Sequence, residues 1–172
     1  MEHQTVESAG RPPADPATVA KDAAAALAER TGVASHDVSI VLGSGWVPAI
    51  DALGPPTAEV TVTELPGFLP PSVEGHAGRI RSLDVSGVRV LAFLGRTHFY
   101  EGRGVEAVVH GVRVAAAAGC RTIVLTNACG GMRPGMAVGD RVLLSDQLRL
   151  TWRQSLVGPR FVDLTDVYSP RL

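Results

Sequence analysis

The sequence predicts an α/β fold with a mixed, largely buried central sheet. Short apolar segments typical of buried strands alternate along the chain with segments whose apolar residues have helical spacing. A helical segment connects apolar strands, which is the arrangement of a β–α–β crossover. No internal repeat interrupts the pattern. We therefore expect one domain over residues 16–172, preceded by a mobile tail rich in proline, glycine and polar residues over residues 1–15.

The first part of the chain predicts two helices and a buried strand. Residues 16–30 are rich in alanine and predict a helix, which Gly32 would end. Residues 38–41 are apolar except for one serine and lead into a GSG turn, as expected of a buried strand followed by a tight loop. Residues 46–53 predict a short helix, since a glycine and two prolines follow them.

The remainder of the chain predicts further strands around one more helix. Residues 105–118 place their valines at helical spacing, and Gly119 follows as a stop. The other segments are short, apolar and rich in β-branched residues, as strands are. They are residues 59–65, two strands within 79–95 that turn near Ser86 and Gly87, residues 122–127 and residues 140–146.

Composition argues against several classes of protein. The formal net charge is -1 and there is no basic tract, so no nucleic-acid partner is expected. No apolar run approaches the roughly 20 residues that span a bilayer, and the first residues lack the apolar core of a secretion signal. The two cysteines, Cys120 and Cys129, form neither a disulfide framework nor a metal-ligand pattern. We expect a cytoplasmic protein that binds no membrane and no metal.

Three polar loops that directly follow apolar strands are the candidate site. In open α/β sheets, ligands bind at the carboxyl ends of the strands, so these loops are expected to converge. They are residues 43–45, 96–102 and 127–131. The glycines of the first loop would let backbone N–H groups approach a phosphate, and Ser44 would add a hydroxyl donor. An ordinary glycine turn is the alternative interpretation.

The second loop, RTHFYEG, places two potential anion donors two residues apart. Arg96 and His98 would point the same way in an extended loop, and the Arg96 guanidinium suits two phosphate oxygens. Glu101 is placed to orient His98 or to stabilise its protonated form. A solvated polar loop is the alternative interpretation.

In the third loop, Asn127 is followed by small residues that let a ligand approach the backbone, although an ordinary glycine-rich turn fits as well. Three other side chains are less informative. His76 fits a surface position or a site, His110 is expected to be an exposed helix residue, and Trp46 is expected to pack.

Six motifs taken together are more specific than any one loop. They are VLGSGW, ELPGF, GHAGR, GRTHFYEG, VLTNACGG and FVDLTDVYSPRL. In this order they resemble purine nucleoside phosphorylases of the trimeric class, in an actinobacterial version, over about residues 20–172. The resemblance implies an α/β/α sandwich of the nucleoside phosphorylase type and a homotrimer. It also implies phosphorolysis of 6-oxopurine ribonucleosides and deoxyribonucleosides to free base and (deoxy)ribose 1-phosphate in purine salvage.

The resemblance further implies roles for individual residues. Inorganic phosphate would be the co-substrate, without an organic cofactor. Tyr100 would face the ribose, and Phe161 would reach into the ribose site of a neighbouring subunit. His98 and Asn127 would be the catalytic residues. Glu101 would position His98 without contacting the substrate itself. The phosphate ligands would be Ser44, His76, Arg96, His98 and the backbone of Ala128.

The chain departs from the family pattern in places. It ends at Leu172, before the segment that carries the family's base-recognising Glu and Asn, so the domain is expected to be incomplete on its C-terminal side. Gln147 and Arg149 differ from the usual SD-His-x-Asn pattern, and Cys129 replaces a common alanine. Two alternatives stay open. One is an inactive remnant that binds phosphate or associates with intact subunits, and the other is an enzyme like methylthioadenosine phosphorylase, whose family lacks the Arg-x-His-x-Tyr-Glu-Gly loop.

Overall fold

The computed structural model describes residues 15–70, 78–148, 150, 153–156, 162–165 and 167–169. It contains two α-helices and five strands in the order expected of an α/β protein. These are α1 (Pro16–Thr31), β1 (Val38–Val41), β2 (Ala58–Thr61), β3 (Arg79–Val85), β4 (Val88–Leu94), α2 (Gly104–Ala117) and β5 (Thr122–Leu125). Short 3-10 helices lie at Val47–Leu53, Val62–Glu64 and Phe99–Glu101.

The five strands form one mixed sheet in the order β2-β3-β4-β1-β5. Strands β2, β3 and β4 are antiparallel neighbours, whereas β1 lies between β4 and β5 and is parallel to both. Helix α2 connects β4 to β5 across β1, as the predicted crossover requires. The mixed sheet with helices confirms the predicted fold class.

Helix α1 begins and ends where its sequence directs. The Asp15 carboxylate accepts hydrogen bonds from the N–H groups of Ala17 and Thr18, which are among the donors that a helix start leaves unsatisfied. At the other end Gly32 adopts φ 69° and its N–H donates to the Ala28 carbonyl. The predicted helix is confirmed, with one more residue. Asp15 thus belongs to the helix cap, while the rest of the predicted tail lies outside the described residues.

Two hydrophobic clusters cover the two faces of the sheet. Alternation along β4 assigns Leu91 and Phe93 to the face that α1 and α2 cover. It assigns Val90, Ala92 and Leu94 to the other face, where Ile50 of the first 3-10 helix packs. Cys120 lies in the first cluster, and burial raises the pKa of its thiol to about 11, so this cysteine is protonated at neutral pH.

Three predictions about local structure need correction. The expected strand at 59–65 ends at Thr61, because the chain turns into a 3-10 helix there. The short helix predicted at 46–53 is confirmed and is a 3-10 helix over Val47–Leu53. Residues 140–146 form no strand; Leu143 is exposed, and no strand of the described sheet pairs with this segment. His110 is buried rather than exposed, because its ring packs against the loop that contains Pro66.

Among the described residues, no helix combines the length and the apolar character needed to cross a bilayer.

Candidate active site

The three predicted loops start side by side at one edge of the sheet. Val41, the last residue of β1, is in register with Phe93 of β4 and with Leu125 of β5. Each of these three parallel strands is followed within two residues by one of the predicted loops. The carboxyl ends of the parallel strands therefore bring the loops together, as expected for a ligand site in this class of sheet.

Thr126 connects β5 to the first loop through its side chain and its backbone. Its hydroxyl accepts a hydrogen bond from the Gly43 N–H at 3.0 Å and donates to the Val41 carbonyl at 3.0 Å. Its own N–H also donates to Val41 at 3.0 Å. These bonds fix the start of the GSG loop against the start of the third loop.

Arg96 lies across this junction. Its Nη1 donates to the Thr126 carbonyl at 2.6 Å, and the guanidinium passes directly over Gly43. A Cβ atom added to Gly43 would lie well inside 3.0 Å of both Arg96 Nη1 and Thr126 O, so only glycine fits there. Thr126 O is the guanidinium's hydrogen-bond partner within the described part of the chain. Because a guanidinium carries five N–H groups, Arg96 retains donors for an anion.

A second tie joins the first and third loops. Ser44 is exposed in a turn that the Trp46 N–H closes on the Gly43 carbonyl at 3.0 Å. The Trp46 indole donates to the Asn127 carbonyl at 3.1 Å, so this side chain links the loops as well as packing. Asn127 and Ala128 are exposed at the same edge as Ser44 and Arg96. The predicted phosphate ligands that the structure describes are thus gathered on one solvent-facing edge.

The RTHFYEG loop places an imidazole beside a phenol. The rings of His98 and Tyr100 stack at 5.0 Å between centroids with 19° between planes. Tyr100 is 78% exposed, so this pair lies at the surface of the site. Glu101 accepts a hydrogen bond from the His98 N–H at 2.6 Å, and the Glu101 N–H donates to the His98 carbonyl at 3.1 Å. Through these two bonds Glu101 fixes the backbone at His98.

A cavity of about 290 Å³ opens beside these loops, between α2 and the sheet. Its inner wall is apolar, and its polar lining comes largely from the RTHFYEG loop. The polar side chains are Arg79, Arg96, Thr97, His98, Tyr100 and Glu101, and the apolar ones include Phe68, Leu69, Phe93, Val108 and Val112. An apolar pocket with convergent polar groups at one end suits a small molecule that carries an anionic or hydroxyl-rich end.

Two predicted site residues, His76 and Phe161, lie outside the described residues. Gly43 was predicted as part of the glycine loop, but its close contact with Arg96 and Thr126 was not, and Thr126 was not singled out from the sequence. A hydroxyl residue at the end of a buried strand, directly before the predicted Asn127, was the only signal for Thr126. Over the described ranges, no group of three or more His, Cys, Asp or Glu side chains is placed to hold a metal ion.

Comparisons with known proteins point to one superfamily. The sequence model of the phosphorylase superfamily matches residues 38–172. A purine nucleoside phosphorylase of Mycobacterium tuberculosis is 55% identical over 161 residues, which cover 94% of this chain and 60% of that protein. A purine nucleoside phosphorylase of Cellulomonas is 54% identical over 166 residues, which cover 94% of this chain and 59% of that protein.

A solved structure shows the same fold. It is isoform 2 of the Schistosoma mansoni purine nucleoside phosphorylase, in complex with cytosine and ribose-1-phosphate. It superposes with a TM-score of 0.73 at 27% identity and covers 90% of this chain and 57% of that one. The chain spans about 60% of the length of the Mycobacterium tuberculosis and Cellulomonas relatives. With the family model matching more than half of its residues, the chain belongs to the phosphorylase superfamily.

Proposed function

We propose that this chain is a purine nucleoside phosphorylase, a pentosyltransferase of purine salvage, whose described part carries the phosphate and ribose sites. The observation that supports this most directly is the junction at which Arg96 crosses Gly43 and bonds to Thr126. It joins a glycine loop, a guanidinium and an exposed backbone, and each of these is a group that binds phosphate oxygens.

The proposed reaction begins with inorganic phosphate at this junction. Arg96 and the Ser44 hydroxyl would neutralise and orient the dianion, and the exposed backbone at Ala128 would supply an N–H. His98 would donate a further hydrogen bond from the second loop, and His76 would stand near the entrance. Fixing the dianion in place supplies the nucleophile and avoids the entropy cost of bringing it to the sugar.

The nucleoside would bind with its ribose against Tyr100 and Asn127. As the glycosidic C–N bond breaks, positive charge develops on the ribose, and the bound phosphate stabilises it electrostatically. One phosphate oxygen then forms the new bond to the anomeric carbon. The bonding electron pair leaves with the purine, which takes up a proton, so the products are free purine and ribose 1-phosphate or its deoxy analogue. Glu101 would keep His98 in place through the backbone bond described above.

The partners follow from the same proposal. The substrates would be 6-oxopurine nucleosides such as inosine and guanosine together with phosphate, without an organic cofactor or metal. Phe161 of one subunit would complete the ribose site of the next in a homotrimer. The protein would work in the cytoplasm, without nucleic-acid or membrane partners.

A phosphate-dependent inosine cleavage assay on the purified chain tests this proposal. Release of hypoxanthine that requires phosphate is expected, and Arg96→Ala should lower the rate by at least about a hundredfold, since it removes a charged donor from the nucleophile's site. Arg121→Ala is the matched control, because Arg121 is exposed and precedes β5 at the opposite end of that strand.

Other outcomes separate the alternatives. Phosphate binding that depends on Arg96, without cleavage of any nucleoside, would indicate a phosphate-binding remnant instead of an enzyme. Faster cleavage of methylthioadenosine than of inosine would indicate the related phosphorylase specificity. No binding of phosphate by folded protein would refute the proposal altogether.

A further inference from the structure

One wall of the cavity is a short irregular segment that follows the second 3-10 helix. This segment, residues 66–70, is called the wall segment below. Its side chains Phe68 and Leu69 line the cavity beside the RTHFYEG loop. It has no strand partner in the described sheet, and side chains of His110 and Arg103 bond to carbonyl groups at its two ends.

His110 of α2 holds the first end of the wall segment. The side chain is only 5% exposed, and its Nε2 lies 2.9 Å from the Pro66 carbonyl. Because a carbonyl can only accept, Nε2 carries the proton and donates it to this bond. The imidazole also meets Phe68 edge-on at 4.6 Å between centroids. A Cβ on Gly67 would come within 2.7 Å of the ring, so the backbone passes in direct contact with it.

Arg103, at the start of α2, holds the other end. Its Nη1 donates to the Pro70 carbonyl at 2.5 Å. Its Nε lies 3.5 Å from the Glu101 carboxylate, which accepts the His98 N–H. The far end of the wall segment is therefore connected through two charged side chains to the backbone of His98.

The wall segment makes aromatic contacts, unlike the polar junction of Gly43, Arg96 and Thr126 at which phosphate is proposed to bind. Phe68 packs toward Phe93 of β4 at 6.3 Å between centroids, so this side of the cavity is aromatic. The junction formed by Gly43, Arg96 and Thr126 lies on other loops. Moving the wall segment would therefore change the space available to an apolar ring or sugar more than the contacts to an anion.

We propose that Arg103 and His110 are positioning residues that clamp the wall segment at both ends and so set the affinity of the cavity for the nucleoside. This inference rests on the proposed function for the identity of the substrate. The clamp itself rests only on two sets of contacts. His110 contacts the Pro66 carbonyl and Phe68, and Arg103 contacts the Pro70 carbonyl and Glu101.

Hydrogen–deuterium exchange in the unliganded full chain tests the clamp without any substrate. Arg103→Met and His110→Met remove one anchor each, because the unbranched apolar methionine side chain cannot donate a hydrogen bond to the Pro70 or Pro66 carbonyl. Exchange in a peptide that covers residues 62–70, whose amides at Leu65 and Phe68 are bonded locally, should become at least about threefold faster in each variant. Arg121→Met is the control for loss of an exposed arginine, and unchanged exchange in both anchor variants overturns the clamp.

His110→Gln provides a rescue, since the glutamine Nε2 can donate to Pro66 from nearly the same place. Exchange in this variant should stay close to that of the parent chain. If Gln and Met behave alike and both accelerate exchange, packing of the ring rather than its hydrogen bond holds the segment, and the role assigned to the His110 donor is wrong. Arg103 is only partly buried, so its variant reports on the clamp even if substitutions at His110 unfold the chain.

Kinetics tests the functional half of the inference. In both Met variants the KM for inosine should rise about tenfold. In His110→Met, whose contacts with Pro66 and Phe68 lie away from His98, the KM for phosphate should stay within about twofold. An equal rise in both KM values of His110→Met, or a fall in kcat alone in either variant, contradicts the proposed role. Absence of inosine cleavage in the parent chain would refute the proposed function and the substrate assigned to the cavity, whereas the exchange experiment would still decide whether the clamp exists.

Discussion

Gly43 sets how closely the three loops can approach one another. Its missing side chain leaves room for both the Thr126 carbonyl and the Arg96 guanidinium. The requirement is one of space and does not come from an unusual backbone angle. A single methyl group at this position would therefore act on the whole junction.

Gly43→Ala is expected to separate Arg96 from Thr126. The added Cβ should cost about 1–3 kcal/mol in the free energy of unfolding, as overpacking does, and should weaken phosphate binding about tenfold or more. Urea denaturation and phosphate titration by calorimetry measure the two effects. Gly130→Ala is the matched control in the neighbouring loop, because nothing lies within 4 Å of its Cβ position. Equal effects at the two positions would contradict the steric argument.

His36 is a buried residue that makes stability depend on pH. It lies before β1, at the end of the sheet opposite the site, and its Nε2 is 2.9 Å from the Ser82 hydroxyl. Burial lowers the pKa of His36 below its ordinary value of 6.5; nearby Arg89 lowers it further, and Asp37 opposes the shift. The folded state therefore favours neutral imidazole.

The sign of the pH effect follows from this lowered pKa. Below about pH 6.5 the unfolded chain binds a proton that the folded chain does not, so folding is weakened as pH falls from there toward the folded-state pKa. Above about pH 6.5 the imidazole is neutral in the folded and the unfolded chain alike, so His36 no longer makes the free energy of unfolding depend on pH. His36→Gln can keep the bond to Ser82 without titrating. Its unfolding free energy, measured in urea between about pH 7 and pH 5, should fall less steeply than that of the parent chain, and parallel profiles would contradict this account.

At the level of elements, the sequence predicted those whose signals are local. Strand β4 was predictable because its apolar run directly follows the turn signal at Ser86 and Gly87, and side chains on both of its faces are buried. Helix α1 was predictable because its stop, Gly32, is adjacent in the chain and adopts the expected left-handed conformation. The crossover from β4 through α2 to β5 followed from the same local patterns.

Elements that depend on a distant partner were not predictable in this way. Residues 140–146 have the composition of a strand, but a strand also needs a hydrogen-bonding neighbour, and β5 pairs only with β1 among the described strands. His110 has helical spacing like its neighbours, but its partner carbonyl at Pro66 is 44 residues away. Nothing near His110 in the sequence indicates that contact.

The candidate site likewise has one feature that the sequence predicted and one that it did not. Convergence of the three loops was predictable, since it follows from parallel strands that end at one edge. The junction at Thr126 was not, because its hydroxyl bonds to residues 83 and 85 positions away and its carbonyl to one 30 positions away. Those contacts depend on β1 lying between β4 and β5, and on an exact register that sequence periodicity does not supply.

On the scale of the whole molecule, the sheet has two unlike halves. The antiparallel half, β2 to β4, includes the β3–β4 hairpin and the ion pairs of Glu59 with Arg79 and Arg81. The parallel half, β4, β1 and β5, positions the candidate site. The outer edge of the parallel half is β5, and within the described part of the chain no further strand pairs with it. Its apolar side chains Val124 and Leu125 are exposed.

An exposed apolar strand edge is a template for pairing with another chain, so this protein should associate as its concentration rises. Val124→Lys places a charge on that edge and should shift association to at least about fivefold higher concentration, measured by sedimentation velocity. Val88→Lys is a close control, because Val88 is 41% exposed at the β3–β4 turn and Val124 is 43% exposed at the edge. If both substitutions suppress association equally, general charge repulsion is responsible. If only Val124→Lys does so, copies of the chain meet along β5.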